Sequence, residues 1–191
     1  MRSRPSRTLS ASERRDRESQ ARIADLGSRL NVALAQKVQE LARYRSDFFG
    51  RLRDILGQRP GVRVVGDRFV FQAEVLFPKA QATLNPEGQA EMMKLADALK
   101  QLEREIPPDI AWVLRVDGHT DVDPIQSPQF KSNWELSSAR AIAVVNFLIA
   151  NGVSPQHLVA AGFGEFQPID PGSTEEAKSR NRRIELKLTE R

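Results

Sequence analysis

The 191 residues contain no cysteine, two histidines, one tyrosine and two tryptophans. Without cysteine there is no disulfide framework, no thiolate-held zinc and no thiol nucleophile. The same absence is neutral on compartment. Long apolar runs are also missing. The longest, Ala141 to Ala150, is broken by Asn146 and falls far short of the roughly 20 residues a membrane span needs. Arg2, Arg4 and Arg7 open the chain with no apolar stretch behind them, so no secretory signal is legible. Between Pro5 and Pro60 there is no proline, which leaves room for a long helix.

Charge is present but uneven. Lys+Arg number 29 and Asp+Glu 25, a formal +4. Residues 1–60 hold 14 basic and 7 acidic residues, net +7, whereas residues 61–191 hold 15 and 18, net −3. The excess of positive charge therefore belongs to one end, and no nucleic acid is expected as a partner of the larger, mildly acidic part.

Ser10 and Glu13 have capping-box spacing. Apolar residues then recur at Ile23, Leu26, Leu30, Leu34, Val38, Leu41, Phe48, Leu52 and Ile55, in steps of three and four. The pattern predicts a disordered basic tail over 1–12 and a helix over 13–58. Arg45 interrupts the heptad order, and the step from Leu30 to Leu41 is a stutter. Two interpretations stay open: an amphipathic helix lying on its own domain, or a stalk that pairs as a coiled coil. The narrow stripe and charged flanks favour a stalk, which at about 1.5 Å per residue reaches roughly 65 Å.

Beyond Pro60 the pattern changes. Val62 to Val65 and Phe69 to Phe71 predict two strands about a Gly66-Asp67 turn, with Glu74 to Phe77 prolonging the second. Asn85-Pro86-Glu87 starts a helix that Pro107-Pro108 ends. Ile110 to Val116 is a strand, and a helix runs from about Asn133 to Ala150. Leu158 to Ala161 and Ile184 to Leu188 are strands, with a short helix expected near Ser173 to Glu176. The order predicts an α/β (α+β) sandwich over 61–191, a mixed sheet with helices on one side.

Asp117, His119, Asp121 and Asp123 stand at alternate positions where a strand gives way to a loop, and the next helix brings back Arg140. Four interpretations fit these residues. One is a metal site, which needs three converging ligands. Another is acid–base chemistry by paired carboxylates, although no nucleophile motif accompanies them. A third is that the charges only cap helices and solvate a loop. The fourth is a zwitterion clamp, in which Asp121 takes an ammonium and the fork of Arg140 takes a carboxylate. Unliganded, Asp121 and Arg140 are expected to pair with each other.

Gly118-His119-Thr120-Asp121, Asn133, Leu136-Ser137, Arg140-Ala141, Gly152, Gly162-Phe163-Gly164, Pro168 and Asn181-Arg182-Arg183 together resemble the OmpA-like peptidoglycan-binding domain. The run Ser132 to Ala141 and Val75-Leu76-Phe77-Pro78 are similar to its MotB branch. The resemblance covers about residues 62–190. It implies a non-catalytic domain, with neither cofactor nor metal, that binds the diaminopimelate of the peptidoglycan stem peptide. The ligand-binding residues it implies are Asp121, Arg140, Asn133, Thr120, Leu136 and Arg182. It assigns His119 to orienting the loop, and Asn181 and Arg183 either to the sheet edge or to ligand. Pro124 and Pro128 stand in a segment that lacks the glycine many relatives place after the Asp, so the lip of the pocket is expected to differ.

The implied role is a periplasmic cell-wall anchor, homodimeric, tethered to the inner membrane and serving a MotB-like stator or related channel. A MotA-like channel subunit is the implied partner, joined through a membrane helix that Met1 replaces here. The alternative is a periplasmic scaffold that acts through its coiled coil and carries a vestigial pocket.

Overall fold

The computed structural model describes residues 6–56, 60–125 and 127–191. They fall into two compact units, residues 1–42 and 43–191. Helix α1 (Ser6–Leu56) supplies all the described structure of the first unit and enters the second. It starts at Ser6, ahead of the Ser10 capping box, so residues 6–12 of the expected tail are helical. Residues 1–5, and Gly57 and Gln58 of the expected stalk, lie outside the described residues. In the first unit Ile23, Leu26, Leu30, Leu34 and Val38 are each more than half exposed.

The second unit is built on a five-stranded sheet. Its strands are β1 (Val62–Val65), β2 (Arg68–Gln72), β3 (Trp112–His119), β4 (Leu158–Gly162) and β5 (Arg183–Glu190), in the order β1-β2-β5-β3-β4. Only the β3–β4 pair is parallel. The crossover between these two strands is α4 (Asn133–Ala150). This is the expected mixed sheet. The helix start signals hold as well. Asn85 accepts a hydrogen bond from Gly88 N (2.6 Å) and opens α3 (Pro86–Glu105). Ser132 accepts from Glu135 N (3.2 Å) and opens α4. Thr174 accepts from Ala177 N (3.2 Å) and opens α5 (Glu175–Asn181).

One face of the sheet carries the core. Phe69, Phe71, Leu114, Val116, Ile184, Leu186 and Leu188 are at most 1% exposed, as are Leu95 and Leu99 of α3 and Val144 and Leu148 of α4. The last turns of α1, expected as stalk, join this core. Leu52 and Leu56 are fully buried, and the Phe49 ring stacks on Phe69 at 4.9 Å. Burial of each such side chain stabilises by roughly 1.5–3 kcal/mol.

The opposite face carries charge. Arg115 holds Asp117 through two hydrogen bonds (2.9 and 2.7 Å), and Glu185 accepts from Arg183 and Arg68 (both 2.6 Å). Asp117 and Glu185 stand directly opposite in the ladder, so these arginines offset a like-charge contact.

Residues 74–77 do not prolong β2. Ala73–Leu76 forms a single helical turn, α2. The reason lies in the side chains. A strand would turn Glu74 to the same side as Leu76, whereas the turn buries Ala73 and Leu76 and leaves Glu74 exposed.

Candidate functional site

Two glycines set the position of α4. Gly118 of β3 and Gly162 of β4 are ladder partners. A Cβ at Gly118 would lie 2.1 Å from the Ser137 carbonyl oxygen, and one at Gly162 would lie 2.6 Å from Ser138 N. The bare backbone of both strands thus lets the first turns of α4 lie directly on the sheet. Asn133, Leu136 and Arg140 are carried by these turns.

They line a cavity of about 520 Å³ together with Thr120, Asp121 and Arg182. All six residues expected from the sequence therefore meet around one space. Glu74, Phe77, Lys79 and Glu175 also line it, and none of these was singled out as a site residue. Their only sequence signal is weak. Phe77 belongs to the Val75 to Pro78 motif, and Glu74 and Glu175 are acids in an otherwise arginine-bearing constellation.

Asp121 and Arg140 do not pair in this unliganded structure, contrary to expectation. Asp121 Oδ2 accepts from Arg182 Nη1 (2.6 Å) and Oδ1 from Asp123 N (3.0 Å). Arg182 also donates to Glu175 (2.7 Å) and to Glu74. These carboxylates together raise its pKa, outweighing partial burial. Asn133 Nδ2 donates to the backbone oxygens of Asp123 (3.0 Å) and Asp121 (3.4 Å) and fixes the loop that carries both acids.

Arg140 is only 4% exposed. Its Nε donates to the Gln81 carbonyl (2.8 Å) and its guanidinium lies 5.3 Å from the centre of the Phe77 ring. No carboxylate of the described residues forms an ion pair with it. Burial pushes its pKa down to about 10; Arg182 adds to the lowering, and Glu74 and Asp121 oppose it. The site thus holds a desolvated cation with no ion-pair partner among the described residues, next to a carboxylate already held in place.

The four alternating residues do not converge as a set: Asp121 and Asp123 line the cavity, and Asp117 and His119 do not. Asp117 is bound by Arg115 on the charged face. Asp123 pairs with Lys178 (2.8 Å). His119 is buried, its ring stacked on Phe163 at 4.9 Å, and neither ring nitrogen has a hydrogen-bond partner among the described residues. It therefore holds its neighbourhood by packing. Burial, with Arg183 nearby, pushes its pKa down to about 4. Asn181 accepts from Ile169 N and Asp170 N (2.9 and 3.0 Å), and Arg183 donates to the Gln167 carbonyl (3.0 Å). Both brace the loop after β4 and do not line the cavity.

The OmpA family pattern matches residues 76–182. The chain is 33% identical over 118 residues to the motility protein B of Bacillus subtilis (strain 168), covering 61% of this chain and 42% of that one. It spans about half the length of the curated relatives it matches. Among solved structures it is similar to a MotB like protein from Desulfovibrio vulgaris, with a TM-score of 0.68 and 25% identity, covering 80% of this chain and 95% of that one. It is also similar to the cell wall anchor of the T6SS from Pseudomonas aeruginosa, with a TM-score of 0.58 and 32% identity, covering 79% and 97%. The family pattern takes in more than half of the sequence, and these neighbours share its fold: the chain belongs to the OmpA family.

Proposed function

We propose that the protein binds peptidoglycan without catalysis and anchors a membrane complex to the cell wall. The observation that carries this is the buried guanidinium of Arg140, without an ion-pair partner among the described residues, facing the same cavity as Asp121. A side-chain amino-acid centre such as that of diaminopimelate supplies a carboxylate for Arg140 and an ammonium for Asp121. A carboxylate has about four acceptor sites, so Asp121 accepts the ammonium without releasing Arg182. In this scheme Arg182 keeps Asp121 ionised and aimed, Asn133 and Thr120 fix the loop, and Leu136 and Phe77 form the apolar wall. Each charge-assisted bond contributes roughly 1.5–3 kcal/mol.

Co-sedimentation with purified diaminopimelate-type sacculi tests the proposal. Wild type should pellet, and Asp121→Ala and Arg140→Ala should stay in the supernatant. Equal pelleting of all three contradicts it, and release of soluble muropeptides would point to an enzyme instead.

Peptidoglycan lies outside the inner membrane, so the proposal assigns the chain to the periplasm. The curated relatives include motility protein B, and a MotB-like tether to the inner membrane with a MotA-like channel partner is part of the same proposal. Among the described residues no helix is long and apolar enough to cross a membrane. The exposed stripe from Ile23 to Val38 favours homodimerisation through α1, which sedimentation equilibrium would report as a dimer at micromolar concentration. This stripe alone would also serve a scaffold. A chain that dimerises but leaves sacculi unbound would support that alternative.

A further inference from the structure

We infer that Trp134 and Phe166 form a stacking platform for a sugar ring of the glycan strand, beside the peptide pocket. This rests on the peptidoglycan proposal above. The protein has only two tryptophans. Trp112 is 2% exposed, but Trp134 is 51% exposed and Phe166 58%. Their rings stack on each other, with centroids 5.2 Å apart and planes 26° off parallel. A single exposed apolar residue needs no explanation. Two aromatic rings held together at the surface do.

The pair is built into the fold. Trp134 is the second residue of α4, and its carbonyl accepts from Ser137 Oγ (3.1 Å). The same Oγ accepts from Gly164 N (3.0 Å). Gly164 has φ +57°, and a Cβ there would lie 3.4 Å from the Phe166 ring and 3.5 Å from the Trp134 ring. Both rings therefore crowd against one bare stretch of backbone, and little ordering remains to be done on binding.

Neither ring lines the cavity, but each is tied to residues that do. Trp134 follows Asn133, a pocket residue. The Gly164 carbonyl accepts from Thr120 N (2.9 Å), another pocket residue. Val122, 58% exposed, stands between Asp121 and Asp123. A ligand gripped at the side-chain centre of its diaminopimelate reaches its first sugar through the diaminopimelate side chain, a γ-linked glutamate and an alanine, a span on the order of 15–20 Å when extended. The chemistry at that distance is a pyranose, with a C–H face for an aromatic ring and hydroxyls for polar groups. Glu135 and Gln167, exposed neighbours of the two rings in sequence, offer a carboxylate and an amide to those hydroxyls.

Calorimetric titration of the full chain with two probes tests this. One is the L-Ala–γ-D-Glu–diaminopimelate tripeptide, and the other is the same tripeptide on its N-acetylglucosamine–N-acetylmuramate disaccharide. Wild type should bind the disaccharide form about fivefold more tightly, the scale of one aromatic stacking contact. Trp134→Ala and Phe166→Ala should bind both probes alike, at the wild-type tripeptide affinity, and Trp134→Tyr should keep the preference. No preference in wild type, or full preference in both alanine variants, overturns the platform while leaving the peptide pocket standing. Glycan chains stripped of peptide separate the two ideas further. If wild type binds them and Trp134→Ala does not, the platform stands even where the tripeptide fails to bind.

Discussion

Replacing Arg140 by methionine is expected to stabilise the protein while abolishing the proposed grip on a carboxylate. The guanidinium is 4% exposed, and burial pushes its pKa down to about 10. At roughly 1.4 kcal/mol per pH unit, the drop from the ordinary arginine value corresponds to about 3 kcal/mol of net penalty, led by burial and lessened by Glu74 and Asp121. The sign follows from proton counting. Below pH 10 the group is charged in both folded and unfolded states, so the full penalty is present at neutral pH. It is relieved only as pH rises through 10, where the unfolded state binds more protons. Methionine removes the penalty at similar side-chain length. It also removes the bond to the Gln81 carbonyl, a net of about 1 kcal/mol, and the contact with Phe77, about 0.5–1 kcal/mol. Gln81 is exposed, so water replaces the lost donor. The balance is about 1–1.5 kcal/mol in favour of the variant, or about 2–6 °C in Tm for a unit of this size. Urea unfolding at pH 7 measures it directly. A loss of 1 kcal/mol or more on substitution would refute the claim that Arg140 waits uncompensated.

Two further perturbations probe the scaffold. His119 is neutral when buried, with a pKa pushed down to about 4 by burial and by Arg183, Arg68 and Arg115, against the pull of Glu185. The unfolded state therefore binds more protons from pH 6.5 downward, and the protein should lose about 2 kcal/mol between pH 7 and pH 5 through this residue alone. His119→Phe should flatten that part of the stability profile, as followed by chemical unfolding across pH; an unchanged slope would refute it. Gly118→Ala would put a Cβ 2.1 Å from the Ser137 oxygen. It should destabilise by about 3 kcal/mol and weaken ligand binding together with it, as α4 lifts and carries Arg140 away; a variant with wild-type Tm would contradict the close approach.

Much of this was legible because the signals are local. Asn85-Pro86 starts a helix by its own hydrogen bond and fixed φ, and alternation over Ile184 to Leu188 marks a strand with one buried face. The constituents of the pocket were legible through their motif order. What escaped depends on chain segments far apart. Asp121 pairs with Arg182, 61 positions away, so no local pattern could foretell that this arginine, rather than Arg140, would satisfy it. Glu74 reaches Arg182 only because residues 73–76 turn helical, and that choice is made by the burial of Ala73 and Leu76. Asp117 is one of four residues at alternate positions, three of them acids, yet the partner that claims it, Arg115, lies on its own strand. Where the exposed part of the helix ends is not legible for a similar reason: Phe48 and Leu52 continue the helical stripe, and only the sheet packed against them makes them core.

The central claim is that Arg140 grips one carboxylate of the ligand, and a double-mutant cycle addresses it most directly. The diaminopimelate tripeptide would be titrated with its side-chain carboxylate free or amidated, against wild type and Arg140→Ala. Wild type should lose about 30-fold or more in affinity on amidation, the size of a charge-assisted bond of about 2 kcal/mol, whereas the variant should bind both peptides equally weakly. A wild type indifferent to amidation, or a variant that discriminates as strongly as wild type, would contradict the clamp.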